Sequence, residues 1–287
     1  MSARASLRTV LGQERVNFLL TNRIPRHALT RFMGWFSKIE LPPVRAASIA
    51  LWRLFCDVDL GDARDARFRS LHAAFIRELR PEARLVDPDP AVIASPCDAI
   101  VGAFGRIEAG TALQVKGMPY PIADLLGSGD EAAAFEGGWY VTLRLTAGMY
   151  HRFHAPHDVT VEQLRYISGD TWNVNPAALR RIERLYCKNE RALLELDLGR
   201  AAGLLLVPVA AILDASIRLN CLTTPLKLTY RGPNRLPCDA AYAKGDEMGW
   251  FEHGSTILVF GTKHFALCDG VRDGARIEMG RPLLREL

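Results

Sequence analysis

Lys244-Gly245-Asp246-Glu247-Met248-Gly249-Trp250-Phe251-Glu252-His253-Gly254-Ser255-Thr256 runs directly into the apolar segment Ile257-Leu258-Val259-Phe260. A glycine-bearing turn followed by β-branched and aromatic residues reads as entry into a buried strand. The Gly254-Ser255 junction also carries chemistry. A serine hydroxyl can attack the carbonyl before it and convert the peptide bond to an ester. Elimination of that ester leaves dehydroalanine, which hydrolyses to a pyruvoyl group. Glycine before the serine tolerates strained backbone and admits a close approach. Taken alone, Gly-Ser-Thr is more often a plain turn into a strand.

Outward from this point the pattern is that of strands. Trp139, Val141, Leu143 and Leu145 alternate with Tyr140, Thr142 and Arg144, and Leu194, Leu196 and Leu198 alternate with Glu195 and Asp197. Ser255 to Phe260 and His264 to Leu267 predict two strands around a Gly-Thr-Lys turn. The longest apolar run, Ala201 to Leu213, is broken by Pro208 and predicts two buried strands, being too short for the roughly 20 residues of a membrane span. Ala177 to Arg184 predicts one helical interruption. Before Pro81 the pattern is helical: Leu41-Pro42-Pro43 separates two helices, and Leu71, Phe75 and Leu79 share one face of a third. The fold expected is α+β, with N-terminal amphipathic helices (1–85) and a β-rich catalytic body (86–287) joined through Val86-Asp87-Pro88-Asp89-Pro90.

Charge is unevenly placed. The chain of 287 residues has a formal net charge of only +4. Up to Arg53, however, nine arginines and lysines face only Glu14 and Glu40. Leu7, Val10, Phe18, Phe32, Trp35 and Trp52 are interleaved with them. That mixture suits helices lying in an anionic membrane surface. It also suits a helical hairpin packed on its own domain and, less well, a phosphate-backbone binder. The first thirty residues are studded with arginine and lack the clean apolar core of a secretory signal. Six cysteines lie at Cys56, Cys97, Cys187, Cys221, Cys238 and Cys268 without metal-ligand spacing, and buried or half-buried thiols are expected.

Two further stretches stand beside the junction. Tyr150-His151-Arg152-Phe153-His154-Ala155-Pro156 places two histidines three apart, and Ser95-Pro96-Cys97-Asp98-Ala99 offers a carboxylate in a proline turn. Asp, His and Ser are the parts of an activated hydroxyl, and such triads are recognised by geometry, not chain order. On a strand, residues three apart point to opposite faces; in a turn they converge.

At these residues the chain resembles the phosphatidylserine decarboxylases. The likeness rests on Lys244, Gly245, Glu247, Met248, Gly249, Phe251, Gly254, Ser255 and Thr256, on Tyr150 to Pro156, and on Leu113-Gln114-Val115-Lys116-Gly117. Gly169-Asp170, Val174-Asn175 and Asn189-Glu190-Arg191 extend it, so that it spans about Arg69 to Leu284. The chain departs from the family pattern at Ala99, at Ala147-Gly148-Met149, at His253 and at Val207-Pro208-Val209-Ala210.

The resemblance implies a self-processing enzyme. It implies cleavage between Gly254 and Ser255 into a large (1–254) and a small (255–287) subunit, with Ser255 becoming the pyruvoyl cofactor. It assigns Asp98, His154 and Ser255 to the cut and His151 to decarboxylation of phosphatidylserine to phosphatidylethanolamine through a Schiff base with the substrate amine. No metal is called for. The partners implied are the lipid, an anionic membrane surface, the two subunits of one precursor and a second copy in a homodimer, with no nucleic acid. The expected place is the cytoplasmic face of the cell membrane, peripherally bound. Two alternatives stay open: the same chemistry on another serine-headgroup lipid, and a membrane-binding β-module that never matures.

Overall fold

The computed structural model describes residues 26–211, 216–252 and 255–287. The basic segment before Arg26, and with it Leu7, Val10 and Phe18, lies outside the described residues, as do Leu213, His253 and Gly254.

Helices come first. α1 (Arg26–Phe36) and α2 (Pro42–Phe55) are divided at Leu41 as the sequence predicts. Pro42 and Pro43 open α2, where a missing N–H goes unused and the fixed φ is already helical. α3 (Leu71–Phe75) is capped by the Ser70 hydroxyl, which accepts the Ala73 N–H at 3.1 Å. It stops a turn short of the predicted Leu79. Arg77 turns inward to donate to the Ala74 and Gly148 carbonyls, and Leu79 bridges instead to Ala63.

From Val92 onward the chain is mainly strand, so the α+β expectation holds. Before the junction the strands are β1 (Val92–Ala94), β2 (Ala99–Arg106), β3 (Thr111–Val115), β4 (Met118–Pro121), β5 (Trp139–Leu145), β6 (Arg152–His154) and β7 (Val159–Ile167). They continue as β8 (Arg191–Leu196), β9 (Leu204–Ala210), β10 (Ser216–Leu219), β11 (Leu226–Lys227), β12 (Arg235–Tyr242) and β13 (Glu247–Phe251). After it come β14 (Ser255–Gly261), β15 (Phe265–Leu267), β16 (Arg276–Ile277) and β17 (Pro282–Glu286). The predicted helix at Ala177 to Arg184 is split into α6 (Pro176–Leu179) and α7 (Leu185–Lys188) by Arg184, which takes a left-handed φ of 52°. Two more short helices, α4 (Ile122–Leu126) and α5 (Gly129–Ala133), precede β5.

Eight strands form the main antiparallel sheet in the order β12-β7-β8-β9-β14-β5-β2-β16. A second sheet, β11-β10-β13-β6, contributes Phe153, Ile217, Leu219, Met248 and Phe251 to the core on one face of the main sheet. The hairpin β3-β4 with α4, α6 and α7 covers the other face with Tyr120, Ile122, Leu125, Leu179 and Tyr186. β14 is therefore buried on both sides: Ile257 and Val259 join one core, Leu258 and Phe260 the other. This is why the sequence there is continuously apolar and not alternating.

The expected break at Pro208 is absent. β9 passes through it, with Pro208 opposite Ile257 of β14. The β8–β9 ladder pairs Arg191 with Val209 and Leu194 with Leu206, leaving Pro208 between those pairs where its missing N–H is tolerated. The cysteine expectation also changes: Cys56, Cys97, Cys187 and Cys268 are in no disulfide among the described residues, but Cys221 and Cys238 form one. Their separation of 17 residues conceals that the chain folds back to bring their Cα atoms within 5.2 Å. Among the described residues no helix is long and apolar enough to cross a membrane.

Candidate active site

Ser255 is the first residue of β14, paired with Leu145 on one side and Ala210 on the other. It is fully buried, and its hydroxyl has no hydrogen-bond partner among the described residues. Thus a nucleophile sits at the end of the central strand without a bond that would have to break before it reacts. Glu252, three residues earlier, is buried and lies 3.6 Å from Lys38, 3.8 Å from His72 and 3.4 Å from Arg218. Burial pulls the His72 pKa below its ordinary value, with Glu252 opposing.

The two histidines are positioned by β6. Arg152 pairs with Trp250 and His154 with Glu247 across the β6–β13 ladder, and Phe251 donates its N–H to the His151 carbonyl at 3.0 Å. Alternation puts His151 on the face of Phe153, and Arg152 and His154 on the other. His151 thus points to the side of Phe153, where its ring meets Phe75. His154 faces away from that side.

Their surroundings differ accordingly. His151 is fully buried; its Nδ1 lies 2.9 Å from the Met149 carbonyl and its ring centroid 3.9 Å from that of Phe75. A carbonyl only accepts, so Nδ1 carries the proton and Nε2 is the basic nitrogen. His154 donates from Nδ1 to the Gly245 carbonyl at 2.9 Å, and its Nε2 accepts from the Tyr150 hydroxyl at 2.9 Å. Burial lowers the His154 pKa, against the raising effect of the Gly245 carbonyl, and raises that of Tyr150. Both side chains are therefore neutral near pH 7. Gly245 takes a φ of +93°, a conformation that favours glycine, and this aims its carbonyl at the ring.

Asp98 is buried and held by Arg84, from Nε at 2.9 Å and Nη2 at 2.6 Å, and by the Met279 N–H at 2.9 Å. The His154 N–H donates to the Pro96 carbonyl at 2.8 Å, which sets the Asp98 turn beside β6, and the negative charge of Asp98 acts on His154. No hydrogen bond joins Asp98 to His154 or His154 to Ser255 among the described residues. Asp98 and Tyr150 line a cavity of about 160 Å³ together with Arg77, Arg84, Met149 and Glu278. The structure thus gathers Asp98, Tyr150 and His154 on one side of β6, while the His151 ring lies against Phe75, and the Ser255 hydroxyl is bonded to neither histidine.

Several motif residues serve the framework. Arg152 joins Glu247 at 2.7 Å and Glu78 at 3.3 Å and stacks over Trp250, so the arginine of one motif pairs with the glutamate of the other across the ladder. Arg191 donates to the carbonyls of Leu125, Cys187, Asn189 and Asp124, and Asn189 to those of Trp172 and Ala210. Lys244 donates to the Asp89 carbonyl at 2.8 Å. Cys97 is buried and its thiol pKa is pushed up by burial, which suits packing and not nucleophilic use. His157, which reads as a surface residue, is buried with Nε2 2.8 Å from the Pro90 carbonyl.

Sequence reasoning missed two groups. Arg84 sits in an aperiodic proline-flanked stretch that offered no signal. Glu190 belongs to a recognised motif but carried no role. It is buried beside the Tyr166 hydroxyl, which donates to it, and its second carboxylate oxygen has no partner among the described residues. Burial pushes its pKa up to about 7. Its carbonyl accepts the Ala210 N–H at 2.8 Å, and Ala210 pairs with Ser255, so the three form one row across the sheet. The described residues contain no group of three side chains arranged to hold a metal ion.

Comparison with known proteins bears on the whole chain. The family model described as phosphatidylserine decarboxylase matches residues 71–285. A phosphatidylserine decarboxylase proenzyme of Anaeromyxobacter sp. (strain K) is 38% identical over 272 residues, covering 91% of this chain and 94% of that one. The proenzyme of Brevibacillus brevis is 32% identical over 270 residues, covering 92% and 95%, and that of Aliivibrio fischeri strain ES114 is 33% identical over 272 residues, covering 90% and 93%. With three quarters of its length inside the family model and near end-to-end similarity to these relatives, the chain belongs to the phosphatidylserine decarboxylase family of carboxy-lyases.

Proposed function

We propose that this chain cuts itself between Gly254 and Ser255 and then converts phosphatidylserine to phosphatidylethanolamine and carbon dioxide. The observation that carries this reading is Ser255 itself: a buried hydroxyl with no partner among the described residues, at the first position of the central strand. Attack of its Oγ on the Gly254 carbonyl moves the acyl group from nitrogen to oxygen, and the nitrogen takes up the proton. Leu145 and Ala210 flank the site on the two neighbouring strands, and a small carbonyl group made from the serine suits the space the serine side chain already occupies. Such a pyruvoyl group supplies an electrophilic carbonyl that accepts electrons as carbon dioxide leaves the substrate.

The division of labour between the histidines is carried over from the family resemblance, and no hydrogen bond joins His154 to Ser255 among the described residues. For the cut, we assign Asp98 and His154: His154 is neutral and able to hold a proton, Tyr150 and Gly245 fix its ring, and Asp98 stands by as the negative charge. For decarboxylation we assign His151, whose Nε2 is the basic nitrogen and whose ring lies against Phe75. The fragment 255–287 would stay bound after the cut. Ile257, Leu258, Val259 and Phe260 are all fully buried, each stabilising by roughly 1.5–3 kcal/mol, and β14 is laddered to both β5 and β9.

A membrane surface is the expected docking partner. α1 and α2 expose Phe32, Trp35, Leu51, Leu54 and Phe55, with Arg31, Lys38 and Arg53 exposed among them. Large apolar side chains left in solvent beside cations match an anionic headgroup layer, which supports a peripheral position on the cytoplasmic face. The test is direct: purified protein given phosphatidylserine vesicles should release carbon dioxide and phosphatidylethanolamine, and Ser255→Ala should release neither. Turnover by Ser255→Ala would remove the basis of the reading.

A further inference from the structure

Helix α2 reaches the candidate active site through one side chain. The Trp52 indole Nε1 donates to the Ala147 carbonyl at 3.0 Å, across 95 residues of chain. The next residue, Gly148, lies against the segment leaving α2. A Cβ added there would sit 2.3 Å from the Asp57 carbonyl oxygen, so no larger residue fits. Arg77 fastens the Gly148 carbonyl at 3.3 Å. The residue after that, Met149, offers the carbonyl that takes the His151 Nδ1 proton at 2.9 Å, and its own N–H closes the turn on Thr146 at 3.0 Å. A second route is aromatic: the Trp52 ring lies 5.8 Å from Phe75, and Phe75 lies 3.9 Å from the His151 ring. The hydrogen bonds fall on Ala147-Gly148-Met149, where the chain departs from the family pattern.

We propose that Trp52 is a positioning residue for His151, fixing its tautomer through Ala147–Met149 and its ring plane through Phe75. The proposal rests on the assignment of decarboxylation to His151. The Met149 carbonyl favours the Nδ1–H form, and that carbonyl is placed by a three-residue turn whose first member is held by Trp52. Loosening the turn lets the imidazole change tautomer and tilt, and a displacement of about 1 Å in a proton-transferring group costs up to about 10²-fold in rate. Because Leu51, Leu54 and Phe55 on the same helix are exposed, seating of α2 on a lipid surface is transmitted to the ring.

Trp52→Phe keeps an aromatic ring and removes the N–H. The variant should split as fully as the parent, yet its kcat on dispersed short-chain phosphatidylserine should fall about 10-fold or more, with KM changed by less than about twofold. In a Ser255→Ala background, the ¹⁵N signals of the His151 ring should show Nδ1–H in the Trp52 protein, sharpened by anionic vesicles, and a tautomeric average in Trp52→Phe. Phe75→Leu, which keeps the tryptophan, should retain the Nδ1–H signature while lowering kcat. Unchanged kcat and ring signals in Trp52→Phe, beside an inactive His151→Ala, overturn this proposal alone. A His151→Ala enzyme that still turns over overturns the assignment beneath it as well.

Discussion

The two sides of β6 present the same residue type in opposite circumstances. On the inner side His151 meets Phe75 and the Met149 carbonyl. On the outer side His154 is wired to Tyr150 and Gly245, within the field of a carboxylate that Arg84 holds. Three residues of strand are enough to separate a dry aromatic setting from a polar network. Two proton transfers with different partners can thus be served by one short segment without competing for one ring.

The comparison can be broken most forcefully at His151. His151→Ala should leave cleavage intact and lower decarboxylation by about 10²–10⁴-fold, the usual range for losing a positioned acid–base group, as measured by carbon dioxide release beside a denaturing gel. Loss of cleavage in that variant would erase the proposed division between the two faces.

Arg84→Ala addresses the outer face. It strands Asp98 as a buried carboxylate, a defect worth about 3–5 kcal/mol. Chemical denaturation should show that loss, and self-cleavage should slow while any matured fraction keeps its turnover.

Glu190→Gln probes through pH the row that Glu190 and Ala210 form with Ser255. The Glu190 carboxyl has an ordinary pKa of 4.5 and is pushed up to about 7 by burial, so in this interval the folded state binds more protons than the unfolded one. Its contribution is therefore intact below about pH 4.5 and is lost as pH rises through about 7, a slope totalling roughly 3 kcal/mol. Denaturant midpoints measured across that window should fall with pH in the parent and flatten in Glu190→Gln.

The smallest effect is expected from Tyr150→Phe. It removes one hydrogen bond to neutral His154, worth about 1 kcal/mol, and should raise the pH midpoint of self-cleavage slightly because the neutral ring loses its donor.

Legibility followed locality. β5 and β14 could be read from apolar pattern alone, and the opposite facing of His151 and His154 follows from strand alternation once β6 is known to be a strand. Pro42 and Pro43 announced α2. What escaped depended on partners distant in the chain. Pro208 reads as a break until β8 and β14 flank it with a register that leaves its nitrogen unused. The Arg84–Asp98 pair joins two proline-rich turns that have no period to betray them. The predicted helix through Leu79 fails because Arg77 finds the Gly148 carbonyl 71 residues away. The Cys221–Cys238 bond is likewise a product of the return of β12 and not of cysteine spacing.

The account stands on the chemistry of a single hydroxyl, and intact-mass measurement of freshly purified protein tests it most directly. It predicts two chains, the smaller comprising residues 255–287 with a blocked N-terminus, and one unbroken chain for Ser255→Ala. A wild-type protein that persists as one 287-residue chain, or a Ser255→Ala variant cut at the same bond, would contradict it.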